Sequence, residues 1–286
     1  MSIRIPCSPA VSFRSFGYIP SGEVRRDLRG RLFGFPNITK RLQARAIMEA
    51  LALRPEHRAL DFGCGLGFMT VEMAKVAARA IGIDVNPYID QIPVPPALVG
   101  RLQYVRTEGE HLPFDDASFD RVLASEVLPM TGDPQTFLGQ IRRVLRPGGR
   151  LVVSNGAGHP AIRDAFRRQG PILRWLARRY PQRMPRDYAD YCARLQTSFG
   201  TSQSRFFDAT ELTAMVQTAG FRVDHVSHTP GHLAGAWISW RQFLLYLRTG
   251  STVSHTNFVA NFAFLSLLSA ASRRGYEGGV LLCATR

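Results

Sequence analysis

Short apolar runs bounded by glycine, proline and aspartate alternate with stretches of helical period through the middle of this chain. Arg58–Phe62 predicts a strand ending in a glycine turn, and Phe68–Ala78 behind it has helical spacing. Ala80–Ile83 predicts a second strand that ends at Asp84, Leu102–Arg106 a third and Phe119–Ser125 a fourth. Asp133-Pro134 supplies a cap and a first-turn proline for a helix running to about Leu145. Pro147-Gly148-Gly149 then predicts a tight turn into a fifth strand, Arg150–Ser154. The alternation stops between His159 and about Phe207, where arginine-rich helical segments are broken at Gly170-Pro171 and Pro181. It resumes at Asp208-Ala209-Thr210-Glu211, which has capping-box form, and the helix closes at Gly220. Phe221–Val226 is a sixth strand, and a further helical stretch leads to a seventh, Gly279–Thr285. Upstream, a helix is expected near Glu23–Phe33, a stop and N-cap at Pro36-Asn37, and a second helix carrying Leu42, Ala46, Ile47 and Leu51. Strands alternating with helices predict an α/β fold, a doubly wound, mostly parallel seven-stranded sheet with a helical insertion after strand five.

Composition narrows the class. With 286 residues, 45% of them hydrophobic, the chain can bury one sizeable core. The formal charge of +14 suggests nucleic acid or an acidic membrane surface. Only Lys40 and Lys75 are lysines, so 36 − 2 leaves 34 arginines, a skew that coding bias also produces. Cys7, Cys64, Cys192 and Cys283 are dispersed without CxxC spacing, which predicts no disulfide framework, no zinc site and a cytoplasmic location. Met1–Tyr18 lacks a sustained apolar core, so no secretory signal is expected. Phe258–Ala271 is too short for a membrane span.

The candidate chemistry begins at Asp61-Phe62-Gly63-Cys64-Gly65-Leu66-Gly67. A parallel sheet binds ligands beyond the carboxyl ends of its strands, and glycines let the backbone approach one closely. Nicotinamide and flavin enzymes use related loops, and a plain strand–helix turn is the structural alternative. Phe68 stands where the dinucleotide fingerprint wants its third glycine. Asp84 can accept both hydroxyls of a ribose, with Val85 against a base, although an aspartate there also serves as a turn residue. Glu108-Gly109-Glu110-His111-Leu112-Pro113-Phe114, followed by Asp115–Asp120, completes the constellation.

That last run resembles the segment between strands three and four of class I S-adenosylmethionine-dependent methyltransferases, in their small-molecule group. So do Ala59–Gly67, Gly82–Pro87, Ser125-Glu126-Val127-Leu128 and Arg146-Pro147-Gly148-Gly149. The resemblance covers about Arg45–Ser154 well and the last two strands weakly. It implies a Rossmann-like core and S-adenosyl-L-methionine as cofactor. Carried over, the methionine half rests on Asp61, Phe62, Gly63, Cys64, Gly65 and Gly67. The ribose falls to Asp84, adenine contact to Glu108 with Gly109, and the methionine end to Ser125 and Glu126, with Val85 and Glu110 also expected at the cofactor. The family more often has aspartate at the position of Glu108. It often continues with Glu-His where this chain has Pro129-Met130, which removes one candidate base.

Methyl transfer is an in-line displacement, so the protein mainly aligns donor and acceptor. No compelling base stands out; the candidates are His228, Glu126 and Tyr191. His225 and His228 lie at a strand end with spacing that puts them on opposite faces, so with His232 they predict no metal site. No Asn-Pro-Pro-Tyr-like sequence follows strand four, which weighs against nucleic acid as substrate. The insertion pairs Arg167, Arg168, Arg174, Arg178, Arg179, Arg183 and Arg186 with Trp175, Tyr180, Tyr188 and Tyr191. It is expected to form a lid meeting an anionic or aromatic acceptor, with a solvated helix face as the plain alternative. Trp237, Trp240, Phe243, Leu244 and Tyr246, then Phe258–Leu265, fit core packing or a lipid pocket.

These observations predict a methyltransferase acting on a small, bulky apolar or aromatic molecule such as a lipid, isoprenoid or polyketide-like compound. RNA methylation and a nicotinamide-dependent oxidoreductase are the alternatives, and peripheral membrane contact is open. The expected organisation is an arm and cap helices in 1–44, a cofactor-binding core in 45–157, the lid in 158–207 and the rest of the core in 208–286.

Overall fold

The computed structural model describes residues 38–107, 111–156, 160–198, 207–228, 232–250 and 279–286. The helix expected near Glu23–Phe33, the Pro36-Asn37 stop, Glu108–Glu110 and the apolar stretch Phe258–Ala271 lie outside the described residues.

The seven expected strands are present. They are β1 (Arg58–Phe62), β2 (Arg79–Asp84), β3 (Leu102–Arg106), β4 (Phe119–Ser125), β5 (Leu145–Gly156), β6 (Arg222–His228) and β7 (Gly279–Thr285). Their order is β3-β2-β1-β4-β5-β7-β6. β3, β2, β1, β4 and β5 pair in parallel. Gly148 N donates to Arg286 O at 3.0 Å and Arg286 N to Gly149 O at 3.1 Å, so the end of β7 meets the start of β5 and those two run antiparallel. β1 and β2 are buried along almost their whole length, as expected of central strands covered on both faces.

α1 (Ile38–Leu51) buries Ala44, Ile47, Met48 and Leu51. Its last carbonyls are capped from the sheet, Leu51 O by Arg121 Nε and Ala50 O by Arg150 Nη1, both at 2.9 Å. α2 (Phe68–Val76) is buried from Met69 to Ala74. α3 (Pro134–Val144) is capped by Asp133, whose carboxylate accepts from Gln135 N at 2.9 Å, and it buries Leu138, Ile141 and Val144. α7 (Ala209–Thr218) starts behind Asp208, as the capping pattern predicts. Between β2 and β3 no helix forms. Prolines 87, 93, 95 and 96 restrict that stretch to two 3-10 turns, Pro87–Gln91 and Pro96–Leu98. β5 is longer than predicted, because Pro147-Gly148-Gly149 does not precede the strand but bulges within it. Phe119 faces Leu145 and Arg121 already faces Arg150, so the extra residues loop out, with Gly148 at φ +73°.

The chain divides into two compact units. The first holds the described residues up to Asn155, with 209–226 and 281–286, and carries the sheet. The second holds 156–208 and 227–280. It contains α4 (Pro160–Arg168), α5 (Pro171–Arg179), α6 (Tyr188–Ser198) and α8 (His232–Thr249). Its core is Ile162, Phe166, Leu173, Leu176, Tyr191, Phe243, Tyr246 and Leu247. The helical unit ends its first stretch at Asp208, beside the expected 207/208 division, and takes in 227–280 as well. α8 joins the helical unit instead of the sheet unit, because Phe243 packs edge-on against Phe166 and Tyr191 at 5.5 and 5.0 Å.

Candidate functional site

β1 carries the chain into the glycine loop, and each glycine there answers to a different constraint. Gly63 sits at φ +71°, and a Cβ on it would lie 2.5 Å from Val127 Cγ2. Gly67 caps α2 at φ +75°, where a Cβ would lie 2.2 Å from Tyr104 Oη. Gly65, at φ +54°, has nothing within 4 Å of the same position, so its face is open. Gly63 N and Cys64 N both donate to Ile83 O at 2.9 Å, and Gly65 N donates to Asp84 Oδ2 at 2.8 Å. The loop is thus fastened to the end of β2.

Beside it opens a cleft of about 370 Å³, within the roughly 300–1,000 Å³ usual for small-molecule sites. Its wall includes Phe62, Gly63, Asp84, Val85, Thr107 and Glu126. It lies past the carboxyl ends of β1, β2 and β4, where the strand order reverses between β1 and β4. Asp84 Oδ1 accepts from Asn86 N at 3.0 Å and Asn86 Nδ2 at 2.9 Å. A carboxylate oxygen has two acceptor sites, so Oδ2, which accepts from Gly65 N, keeps capacity for a ligand hydroxyl. Val85 is 55% exposed, an apolar surface beside that carboxylate.

Glu126 follows β4 in the left-handed region, φ +59°. For a non-glycine residue this costs about 1–2 kcal/mol, and such strain gathers at functional sites. Both its backbone and its carboxylate are fastened, and their partners are joined to each other. Its N donates to Ser154 O at 2.7 Å, its Oε1 accepts from Gln43 Nε2 at 2.6 Å, and the same Gln43 nitrogen reaches Ser154 Oγ at 2.7 Å. Gln43 was not anticipated: it stands 83 residues from Glu126, and nothing local marks it.

Of the other anticipated residues, Phe62 lines the cleft, its ring edge-on to Phe137 at 5.2 Å. Ser125 ends β4 opposite Ser154. Thr107, which precedes the undescribed Glu108, Gly109 and Glu110, lines the cleft, and its N donates to Asp84 O at 3.0 Å. The segment after those residues is pinned by Arg143 of α3, which donates to Phe114 O at 2.7 Å and to Leu112 O at 2.8 Å.

Asp61 and Cys64 do not line the cleft. Asp61 is buried under the loop and accepts from Thr70 Oγ1 at 2.7 Å. Burial raises its carboxyl from 3.8 to about 7. The Thr70 hydrogen bonds oppose that rise and the nearby Asp84 charge adds to it. Burial, with Asp61 and Asp84, also pushes the Cys64 thiol up, which favours the protonated form. Tyr191 is not presented to solvent as a base. It is buried in the core of the helical unit, and burial raises its phenol. His228 ends β6, and its side chain lies outside the described residues; His225 is exposed. Among the described residues no cluster of ligating side chains could hold a metal.

Comparison with known proteins agrees with this geometry. A family model described as a methyltransferase domain matches residues 60–153. A demethylmenaquinone methyltransferase of Tropheryma whipplei (strain Twist) is 31% identical over 180 residues, 62% of this chain and 72% of that protein. A ubiquinone biosynthesis O-methyltransferase of Cereibacter sphaeroides is 34% identical over 124 residues, 42% of this chain and 49% of that protein. The geranyl diphosphate C-methyltransferase of Streptomyces coelicolor A3(2), solved with Mg2+, geranyl diphosphate and S-adenosyl-L-homocysteine, has the same fold. It gives a TM-score of 0.58 at 17% identity, covering 95% of this chain and 87% of that one. The nicotinamide alternative falls with these matches. The glycine loop, the carboxylate ending β2 and the family match lead to one conclusion: this chain belongs to the class I S-adenosylmethionine-dependent methyltransferases, and its cofactor is S-adenosyl-L-methionine.

Proposed function

We propose that the enzyme methylates an apolar, ring-bearing or isoprenoid small molecule, of the quinone-precursor kind that the names of its relatives carry. The observation that carries the reading is the convergence on one cleft of the glycine loop at Gly63, a carboxylate with spare acceptor capacity at Asp84, and exposed Val85. These fit the donor part by part. Asp84 would take a ribose hydroxyl on Oδ2, Val85 the face of the adenine, and the loop from Gly63 to Gly67 the methionine half. Glu126, oriented by Gln43 and Ser154, would face the charged amino-acid end.

The donor supplies an electrophilic methyl on a sulfonium, so the protein's share is alignment and exclusion of water. Val127, Met130 and Phe137 give the rest of the wall an apolar character suited to such an acceptor. Asp61 and Thr70 would act from beneath, as positioning residues for the loop.

The test incubates the enzyme with methyl-labelled donor and cell extract split into lipid-soluble, water-soluble and RNA fractions. Label is expected in the lipid-soluble fraction. Transfer to water-soluble metabolites or RNA alone overturns the acceptor assignment, and calorimetry showing no binding of donor or demethylated product overturns the site.

A further inference from the structure

The helical unit carries a surface that the methyl-transfer site does not account for. On α5, Leu173 and Leu176 face the core, while Ile172 and Trp175 are 65% and 62% exposed. At about 100° per residue, Trp175 stands within the solvent arc, roughly 130° from the mean direction of the two buried leucines, and Ile172 stands at the edge of that arc. Arg174, Arg178 and Arg179 surround it on the same helix, all exposed. The charge continues through α4, where Arg163, Arg167 and Arg168 are also exposed. From Pro160 to Arg186 the chain has eight arginines against one carboxylate, Asp164, so 8 − 1 leaves +7 in 27 residues. Ion pairing absorbs little of it. Arg167 reaches Asp164 only at 3.6 Å, and Arg186 reaches Asp190 at 3.9 Å.

Arginine abundance from coding bias explains charge, but not a tryptophan within the wet face and a well-exposed isoleucine at its edge. A short helix with bulky apolar residues projecting between guanidinium groups suits a lipid interface. Tryptophan settles at headgroup depth, an aliphatic side chain reaches the acyl boundary, and arginines meet phosphates. Nucleic acid would use the charge and stack on the tryptophan, but it would gain nothing from exposed Ile172.

We propose that α5 docks on an anionic membrane surface, with Trp175 and Ile172 entering the headgroup layer and Arg174, Arg178 and Arg179 on lipid phosphates. This goes beyond the assigned activity and requires neither donor nor acceptor, so it stands or falls separately from the acceptor reading.

The test is co-sedimentation of the whole protein with phosphatidylcholine vesicles, alone or with one-third phosphatidylglycerol, at two salt concentrations. Binding is expected on the anionic vesicles and should weaken with salt. At about a kilocalorie per basic residue, Arg178→Gln with Arg179→Gln should lower partitioning about 30-fold. Trp175→Ser should lower it roughly tenfold while donor binding by calorimetry stays unchanged. Should Trp175→Ser fail to fold, the arginine pair, wholly on the surface, carries the test. Equal partitioning onto neutral and anionic vesicles, arginine variants that bind like the parent, or release by RNA at equal phosphate concentration would overturn the proposal.

Discussion

Replacing Asp61 by asparagine tests the electrostatics under the glycine loop. The carboxyl is fully buried and accepts from Thr70 Oγ1 at 2.7 Å. In the unfolded chain it titrates near its ordinary 3.8, and in the folded protein near 7. Below about pH 4 both states are protonated and the group costs nothing. Between about pH 4 and 7 the unfolded chain has released its proton while the folded protein keeps it, so folding stability falls as pH rises. Above about pH 7 both are ionised and the full cost remains. Raising a carboxyl from 3.8 to about 7 corresponds to roughly 4 kcal/mol at about 1.36 kcal/mol per pH unit. Asparagine does not titrate, and its Oδ1 can still accept from Thr70. Any cost of placing its NH2 is the same at every pH, so it appears as an offset and not as a slope. Urea unfolding of both proteins between about pH 4.5 and 8 should therefore show the difference moving in favour of Asp61→Asn by roughly 3 kcal/mol, the remaining roughly 1 kcal/mol being already present at about pH 4.5. Groups common to both cancel. A difference that stays constant across that range would refute the argument that burial holds this proton.

Three further outcomes follow from the site and its neighbours. Asp84→Asn should weaken binding of S-adenosyl-L-homocysteine about 10- to 150-fold by calorimetry, since hydrogen bonds to a charged group are worth about 1.5–3 kcal/mol; an unchanged Kd removes the ribose role. Gly67→Ala should lower Tm more than Gly100→Ala. Both glycines have positive φ, costing about 1–2 kcal/mol for alanine, but only at 67 does the new methyl meet Tyr104, whereas at 100 nothing lies within 4 Å. Equal losses would mean the Tyr104 contact is soft. Tyr191→Phe should leave kcat within about twofold, while Tyr191→Ala should destabilise by about 3–5 kcal/mol through a cavity beside Phe166 and Phe243. Lost turnover in Tyr191→Phe with donor binding intact would restore it as a base.

Much of the architecture was legible along the chain, and so was the class of cofactor. Hydrophobic period reports backbone geometry, so β1 to β4, α3 behind Asp133-Pro134 and the return of the fold at Ala209 could be read residue by residue. Glycine is equally local. Gly63, Gly65 and Gly67 all take up the positive φ that the lack of a Cβ permits. The resemblance then carried the cofactor, because it rests on residue types at fixed spacing.

What escaped depends on neighbours far away in the chain. Gln43 meets Glu126 across 83 positions, and Arg143 pins Leu112 and Phe114 from another helix. Asp61 and Cys64 looked like ligand contacts because they sit in the motif, yet burial beneath the loop decides their chemistry. Tyr191 and α8 took their roles from the packing of Phe166 and Phe243, and the Pro147-Gly148-Gly149 turn became a bulge because β5 pairs on both sides of it. The sequence by itself determined the order of the elements, the sites of sharp turns and the class of cofactor, since each follows from local backbone preference or a short motif. Only the tertiary structure decided which polar groups are buried, which line the cleft and which helix belongs to which core. Burial and electrostatics are sums over contacts that the linear order does not record.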